Sequence, residues 1–212
     1  FLFFPIIQKD QDFRLLLENA LPVSKILEDT YHLEGRQVLL FVGRLIDIKN
    51  LFFLLDALAL VVNRYPKVIL LFVGDGDQRV ALERHAERNG LADHVIFAGK
   101  KQGEDLYACY NVGQIFVLPS YYERFGAVVN EALLAGCYTL CSVVAGAACL
   151  IEPQKNGDLF DPASKTYLAE KLAQSLKDCE GLKQISLKAN KMCYSYDQYI
   201  TSFFNQLNSI ID

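Results

Sequence analysis

From residue 38 onward the chain alternates short, continuous apolar runs with longer segments of helical period. The runs are VLLFVG (38–43), VILLFVG (68–74), HVIFAG (94–99), QIFVLPS (114–120) and YTLCSVV (138–144). Apolar stretches of this length without polar alternation predict strands covered on both faces. LFDP (159–162) predicts the close of a sixth, short strand. Between them the spacing predicts helices over 49–64, 77–89, 103–110, 126–136 and 163–178, with others over about 10–29 and 182–211. Pro66 and Lys67 end the first of the intervening helices, and GDGD (74–77) supplies the turn into the next. Strand–helix alternation requires right-handed crossovers. It therefore predicts an α/β fold, a Rossmann-like doubly wound parallel sheet.

Ligands of such sheets bind beyond the carboxyl ends of the strands, so the residues that follow each strand are the informative ones. Gly43 and Arg44 follow the first, with Lys49 at the next helix start. After the second come Gly74, Asp75 and Gly76. The third leads to Gly99, Lys100 and Lys101, and the fourth to Pro119, Ser120 and YYERFG (121–126). Glycines and charges on one edge suit a phosphate-bearing ligand. Arg44 and Lys49 would be its cationic partners, although two solvated surface charges would read the same way. A helix opening at Gly126 would add a second anion cradle, because its first amides, Ala127 among them, lack partners within the helix.

Composition narrows the class. The chain has 212 residues, 52% of them hydrophobic and 22% charged, which is enough for a well-packed core. A net charge of −4 argues against a general nucleic-acid surface, so an anionic ligand needs a local basic cluster. No apolar run reaches the roughly 18 residues of a membrane span. Cys109, Cys137, Cys141, Cys149, Cys179 and Cys193 form no C-x-x-C pair and predict reduced, buried thiols rather than a metal site. The chain begins FLFFP without Met and reads as a piece of something longer.

Glu123 and Glu131 pose the sharpest question. Glu131 lies between Val128, Val129 and Leu133, Leu134, where a solvated face is hard to draw. A carboxylate near a helix start has a plain electrostatic role. Both could instead accept hydrogen bonds from sugar or ribose hydroxyls. Their spacing alone does not decide.

Five stretches together resemble the C-terminal, donor-binding domain of GT-B retaining glycosyltransferases of group 1 (family 4). They are FVGRLIDIKN (41–50), FVGDGD (72–77), HVIFAGK (94–100), PSYYERFGAVVNEALLAG (119–136) and KNGDLFDP (155–162). The fourth is similar to that family's E-x7-E motif. The resemblance implies a nucleoside-diphosphate sugar, UDP- or GDP-linked, as donor and a hexosyl group transferred to a glycan or lipid-linked acceptor. It implies that Arg44 and Lys49 hold the diphosphate without a metal. Glu131 would bind the ribose and Glu123 the transferred sugar, beside the backbone of Phe125 and Gly126. Gly99 and Lys100 would lie at the base, and Gly43 and Gly74 would be turns close to the donor.

It further implies an acceptor-binding N-terminal domain outside this chain, without which the fragment would transfer little or nothing. Residues 1–36 would be an inter-domain segment and helix, 37–180 the donor domain, and 181–212 a helical segment. That segment carries Tyr194, Tyr199, Phe203, Leu207, Ile210 and Ile211 on one face and would pack either on this domain or towards the missing one. The location would be cytoplasmic, with the full-length enzyme peripheral on the cytoplasmic membrane face. Arg124, Tyr138, Val143 and Cys149 depart from the family pattern. A GT-B nucleotide-sugar epimerase and a non-catalytic nucleotide-binding or interaction domain remain as alternatives.

Overall fold

In a computed structural model, residues 10–179, 188, 189, 191 and 192 are described. Among these residues six strands form one sheet: β1 (Gln37–Val42), β2 (Val68–Val73), β3 (Val95–Gly99), β4 (Ile115–Leu118), β5 (Tyr138–Ser142) and β6 (Gly157–Phe160). All are parallel, in the order β3-β2-β1-β4-β5-β6. This is the Rossmann-like α/β sheet that the alternation predicts. β1 and β2 are buried along almost their whole length, as central strands must be, whereas the edge strand β3 is half-buried throughout.

Among the described residues, seven helices cover the two faces: α1 (Asp10–Asn19), α2 (Leu21–Thr30), α3 (Leu51–Val61), α4 (Arg79–Arg88), α5 (Glu104–Val112), α6 (Ala127–Leu134) and α7 (Lys165–Asp178). The strand period of two sorts the core. Leu40, Leu71 and Phe116 join one cluster with Phe13 of α1, Leu27 of α2, Tyr110 of α5 and Leu133 of α6. Leu39, Leu70 and Val117 join the other with Leu54 of α3, Leu82 of α4 and Leu172 of α7. Each buried leucine contributes about 1.5–3 kcal/mol of burial free energy.

Several expectations shift. The helix expected over 10–29 is two helices, with Pro22 in the first turn of α2, where its missing N–H costs no hydrogen bond. Phe13, Leu17, Ala20 and Leu27 of this region belong to the core of the same domain. The sixth strand, Gly157–Phe160, ends within LFDP, as expected. The helix expected over 182–211 lies outside the described residues, apart from four positions. Of these, Lys191 donates its backbone N–H to Leu133 O at 2.9 Å, so the chain passes over the end of α6.

The strand order reverses between β1 and β4, and ligand crevices form at such a reversal. β1 stays in register with β2 over six residue pairs, but with β4 over only two, Leu39–Ile115 and Leu40–Phe116. Beyond those pairs β1 and β4 part toward their carboxyl ends. The loops that follow them flank the opening.

Candidate functional site

The loop after β1 is fixed first by glycine geometry. A Cβ on Gly74 would lie 1.8 Å from the carbonyl oxygen of Gly43, and Gly74 itself has φ +147°. No other residue fits there. Gly43 N–H donates to Val73 O and Gly74 N–H to Gly99 O, both at 2.9 Å. Leu45 N–H donates to Asp75 O at 2.9 Å, tying the first loop to the second. Three successive strand ends are thus joined backbone to backbone.

Lys49 ends a 3-10 turn, Asp47–Lys49, rather than opening α3. Asn50 separates the two in a left-handed conformation (φ 57°), and its Nδ2 donates to Pro162 O at 3.1 Å. Across the β1–β4 opening, Tyr121 N–H donates to Ile48 O at 3.0 Å. The Lys49 ammonium forms an ion pair with Glu123 Oε2, with only 15% and 19% of the two side chains exposed. Glu123 in turn is held by its carbonyl, which accepts Gly146 N–H at 3.0 Å. Lys49 and Glu123, 74 residues apart, are therefore one unit that spans the opening.

Gly126 has φ +93° and caps α6 without a side-chain bond. A Cβ there would come within 3.2 Å of Glu123 Cγ and 3.0 Å of Leu118. Glycine thus lets the Glu123 loop fold directly onto the helix start. The first N–H groups of α6 have no partner within the helix. Arg124 is exposed beside them, Ala127 is exposed and Phe125 packs partly into the core.

Glu131, one turn further along α6, is half-buried. Its Oε2 accepts the hydroxyl of Tyr110 at 2.6 Å. Burial pushes its carboxyl above the ordinary range, and the Tyr110 hydrogen bond opposes that rise. Tyr110 is fully buried, and burial holds its phenol well above the usual tyrosine range, with the Glu131 charge adding to the rise. Tyr110 carries no motif, and sequence reasoning missed it. The only signal was a tyrosine late in the helix that precedes β4.

The structure brings together Gly43, Gly74 and Gly99, and separately Lys49, Glu123 and Gly126. Arg44 and Lys100 are exposed at the ends of β1 and β3, and neither forms an ion pair among the described residues. Glu131 is joined to Tyr110 rather than to Lys49 or Glu123. Cys109, Cys137, Cys141 and Cys179 are buried, and burial pushes the Cys109 and Cys141 thiols up to about 12. Cys149 is exposed, against the expectation of buried thiols, because it sits on the outer side of a 3-10 turn, Gly146–Leu150. Tyr138 donates its hydroxyl to Asp158 at the β6 edge of the sheet, away from the opening. Among the described residues, no group of three or more His, Cys, Asp or Glu is placed to hold a metal ion. No described helix is long and apolar enough to cross a membrane.

Comparison with known proteins gives this arrangement a family. The sequence pattern of "Glycosyl transferases group 1" matches residues 24–192. An uncharacterized glycosyltransferase of Methanocaldococcus jannaschii (MJ1607) is 31% identical over 161 residues, which are 76% of this chain and 41% of that protein. The crystal structure of WaaG, a glycosyltransferase involved in lipopolysaccharide biosynthesis, superposes with a TM-score of 0.65 at 26% identity, over 72% of this chain and 41% of that one. Anabaena HepE in complex with UDP shares the fold, with a TM-score of 0.69 at 24% identity over 89% of this chain and 52% of that one. The chain spans 41%, 40% and 34% of the length of three curated relatives it matches. With the matched pattern covering most of its length, the chain belongs to the group 1 glycosyltransferases.

Proposed function

We propose that this chain is the donor-binding domain of a retaining glycosyltransferase of family 4 type. Its donor is a nucleoside-diphosphate sugar, and the full-length enzyme passes a hexosyl group to a glycan or lipid-linked acceptor. The observation that carries this reading is the Lys49–Glu123 pair, which spans the opening where β1 and β4 part. It sets a cation for phosphate and a carboxylate for hydroxyls side by side at the sheet's reversal point.

In this reading Arg44 and Lys49 donate to the diphosphate oxygens, and the first amides of α6 add to them. An ammonium has three donors, so Lys49 can keep Glu123 while it takes a phosphate oxygen. Negative charge grows on the leaving diphosphate as the glycosidic bond breaks. Fixed cations stabilise that charge without reorganising, which is where the catalytic effect would be concentrated. Glu123 Oε1, which has no partner among the described residues, accepts from the transferred sugar. Glu131 accepts from the ribose, and Gly99 with Lys100 borders the base. Acceptor binding belongs to parts of the enzyme beyond this chain.

Calorimetry with UDP, GDP and ADP tests the reading. One of them is expected to bind, and Arg44→Ala and Glu131→Ala are each expected to lose about 1–3 kcal/mol, the size of a hydrogen bond to a charged group. Failure of all three nucleotides to bind would refute the proposal, as would unchanged affinity in both variants.

A further inference from the structure

We propose that Tyr110 is a positioning residue whose hydroxyl holds one oxygen of Glu131 and so turns the other toward the ribose hydroxyls of the bound nucleotide. This rests on the reading of Glu131 given above and names a residue that acts through it.

The geometry has three parts. First, Tyr110 is held rigidly. Its ring lies between Phe13 of α1 and Phe116 of β4, with centroids 6.3 and 6.5 Å away. Its carbonyl accepts Lys188 Nζ at 3.1 Å. A tyrosine has two side-chain torsions, so packing of the ring fixes where the hydroxyl points. Second, that hydroxyl donates to Glu131 Oε2 at 2.6 Å, which fixes the carboxylate plane. Third, Oε1 of Glu131 has no hydrogen-bond partner among the described residues.

A purely structural role would leave a different trace. A buried tyrosine hydroxyl needs an acceptor, but a backbone carbonyl or a neutral amide serves that need without burying a charge. A carboxylate here is a poor choice for packing alone, since burial works against its ionised form. It makes sense where the second oxygen has work to do. A carboxylate with one oxygen anchored and one unengaged presents a fixed acceptor to a diol, so little rotational freedom remains to be lost on binding.

The test is calorimetry on the 212-residue chain. The probes are uridine, guanosine and adenosine diphosphate, and then the 2′,3′-dideoxy counterpart of whichever binds most tightly. Wild type is expected to prefer the ribonucleotide by about tenfold, the size of one hydrogen bond to a charged group. Tyr110→Phe keeps the ring and removes the hydroxyl. It is expected to erase most of that preference, weakening the ribonucleotide several-fold and the dideoxynucleotide less than about twofold. The same Tyr110→Phe change made on Glu131→Gln is expected to have a smaller effect, because a coupled pair is not additive. Glu131→Asp, which draws the carboxylate back from Tyr110 and leaves the aromatic packing intact, is expected to reproduce the selective loss, and it serves also if Tyr110→Phe fails to fold. If these variants keep the ribose preference, or weaken both nucleotides alike, the positioning role is wrong while the nucleotide site stands. A wild type that binds without ribose preference removes Glu131 from the ribose and overturns the inference. A wild type that binds no nucleotide overturns the functional proposal and this inference together.

Discussion

Two carboxylates of this domain are each held by a tyrosine, and they differ in what is left over. Asp158 lies near the start of the edge strand β6, away from the opening between β1 and β4. Its Oδ2 accepts the Tyr138 hydroxyl at 3.0 Å, and its Oδ1 faces Lys171 Nζ at 3.3 Å. Both oxygens are engaged within the domain. Glu131, on α6, has Oε2 on Tyr110 and, among the described residues, no partner for Oε1. Similar chemistry thus appears once closed on itself and once with a valence open. A closed site contributes to stability, whereas an open one reserves an interaction for something that arrives later.

Removing Asp158 should have the largest effect on the fold. Asp158→Ala leaves Lys171 without its ion-pair partner and the Tyr138 hydroxyl with Gly157 O as its remaining acceptor, and breaking a buried pair of this kind costs about 3 kcal/mol. Denaturant unfolding should show that loss, with nucleotide affinity unchanged. A drop in affinity as large as that in Arg44→Ala would mean that the two regions are not independent.

Arg44→Ala should do the reverse. Arg44 is exposed and forms no ion pair among the described residues, so its removal should leave stability within about 0.5 kcal/mol. Nucleotide binding should fall by about 2 kcal/mol, the range for a charged hydrogen bond to phosphate. Comparable affinity in the variant would place the diphosphate elsewhere.

The pH dependence of Glu131 sharpens the contrast at smaller scale. Its folded-state carboxyl titrates above its ordinary value of 4.5. Such a group favours the fold when protonated, and that contribution is lost as pH rises through the folded value. Glu131→Gln keeps an oxygen for Tyr110 and removes the charge. Its thermal midpoint should therefore exceed that of wild type at pH 7, with the gain disappearing below pH 4.5, while nucleotide affinity falls. A variant less stable than wild type at neutral pH would show that the ionised carboxylate supports the fold.

The sequence made the sheet easy to read and the pairings hard. VLLFVG and VILLFVG could only be strands covered on both faces, and the glycines after them marked the loops where backbone meets backbone. Arg44, Lys49 and Glu123 were legible as candidates because they follow strand ends. That Lys49 meets Glu123 was not, since the contact arises only when β1 and β4 become neighbours. Tyr110 was hidden for the same reason, as a helical aromatic that meets Glu131 only across the packed layer. The break between α1 and α2 lay in one proline that helical periodicity passed over. Local period encodes elements, whereas a site is made where distant elements meet.

Amide chemical-shift mapping of the 15N-labelled chain during titration with its preferred nucleoside diphosphate tests the central claim most directly. The account predicts that the largest shifts fall on Gly43–Lys49 and on Gly126–Val129, the two sides of the β1–β4 opening. Shifts concentrated around Tyr138, Asp158 and Lys171, with the opening silent, would contradict it.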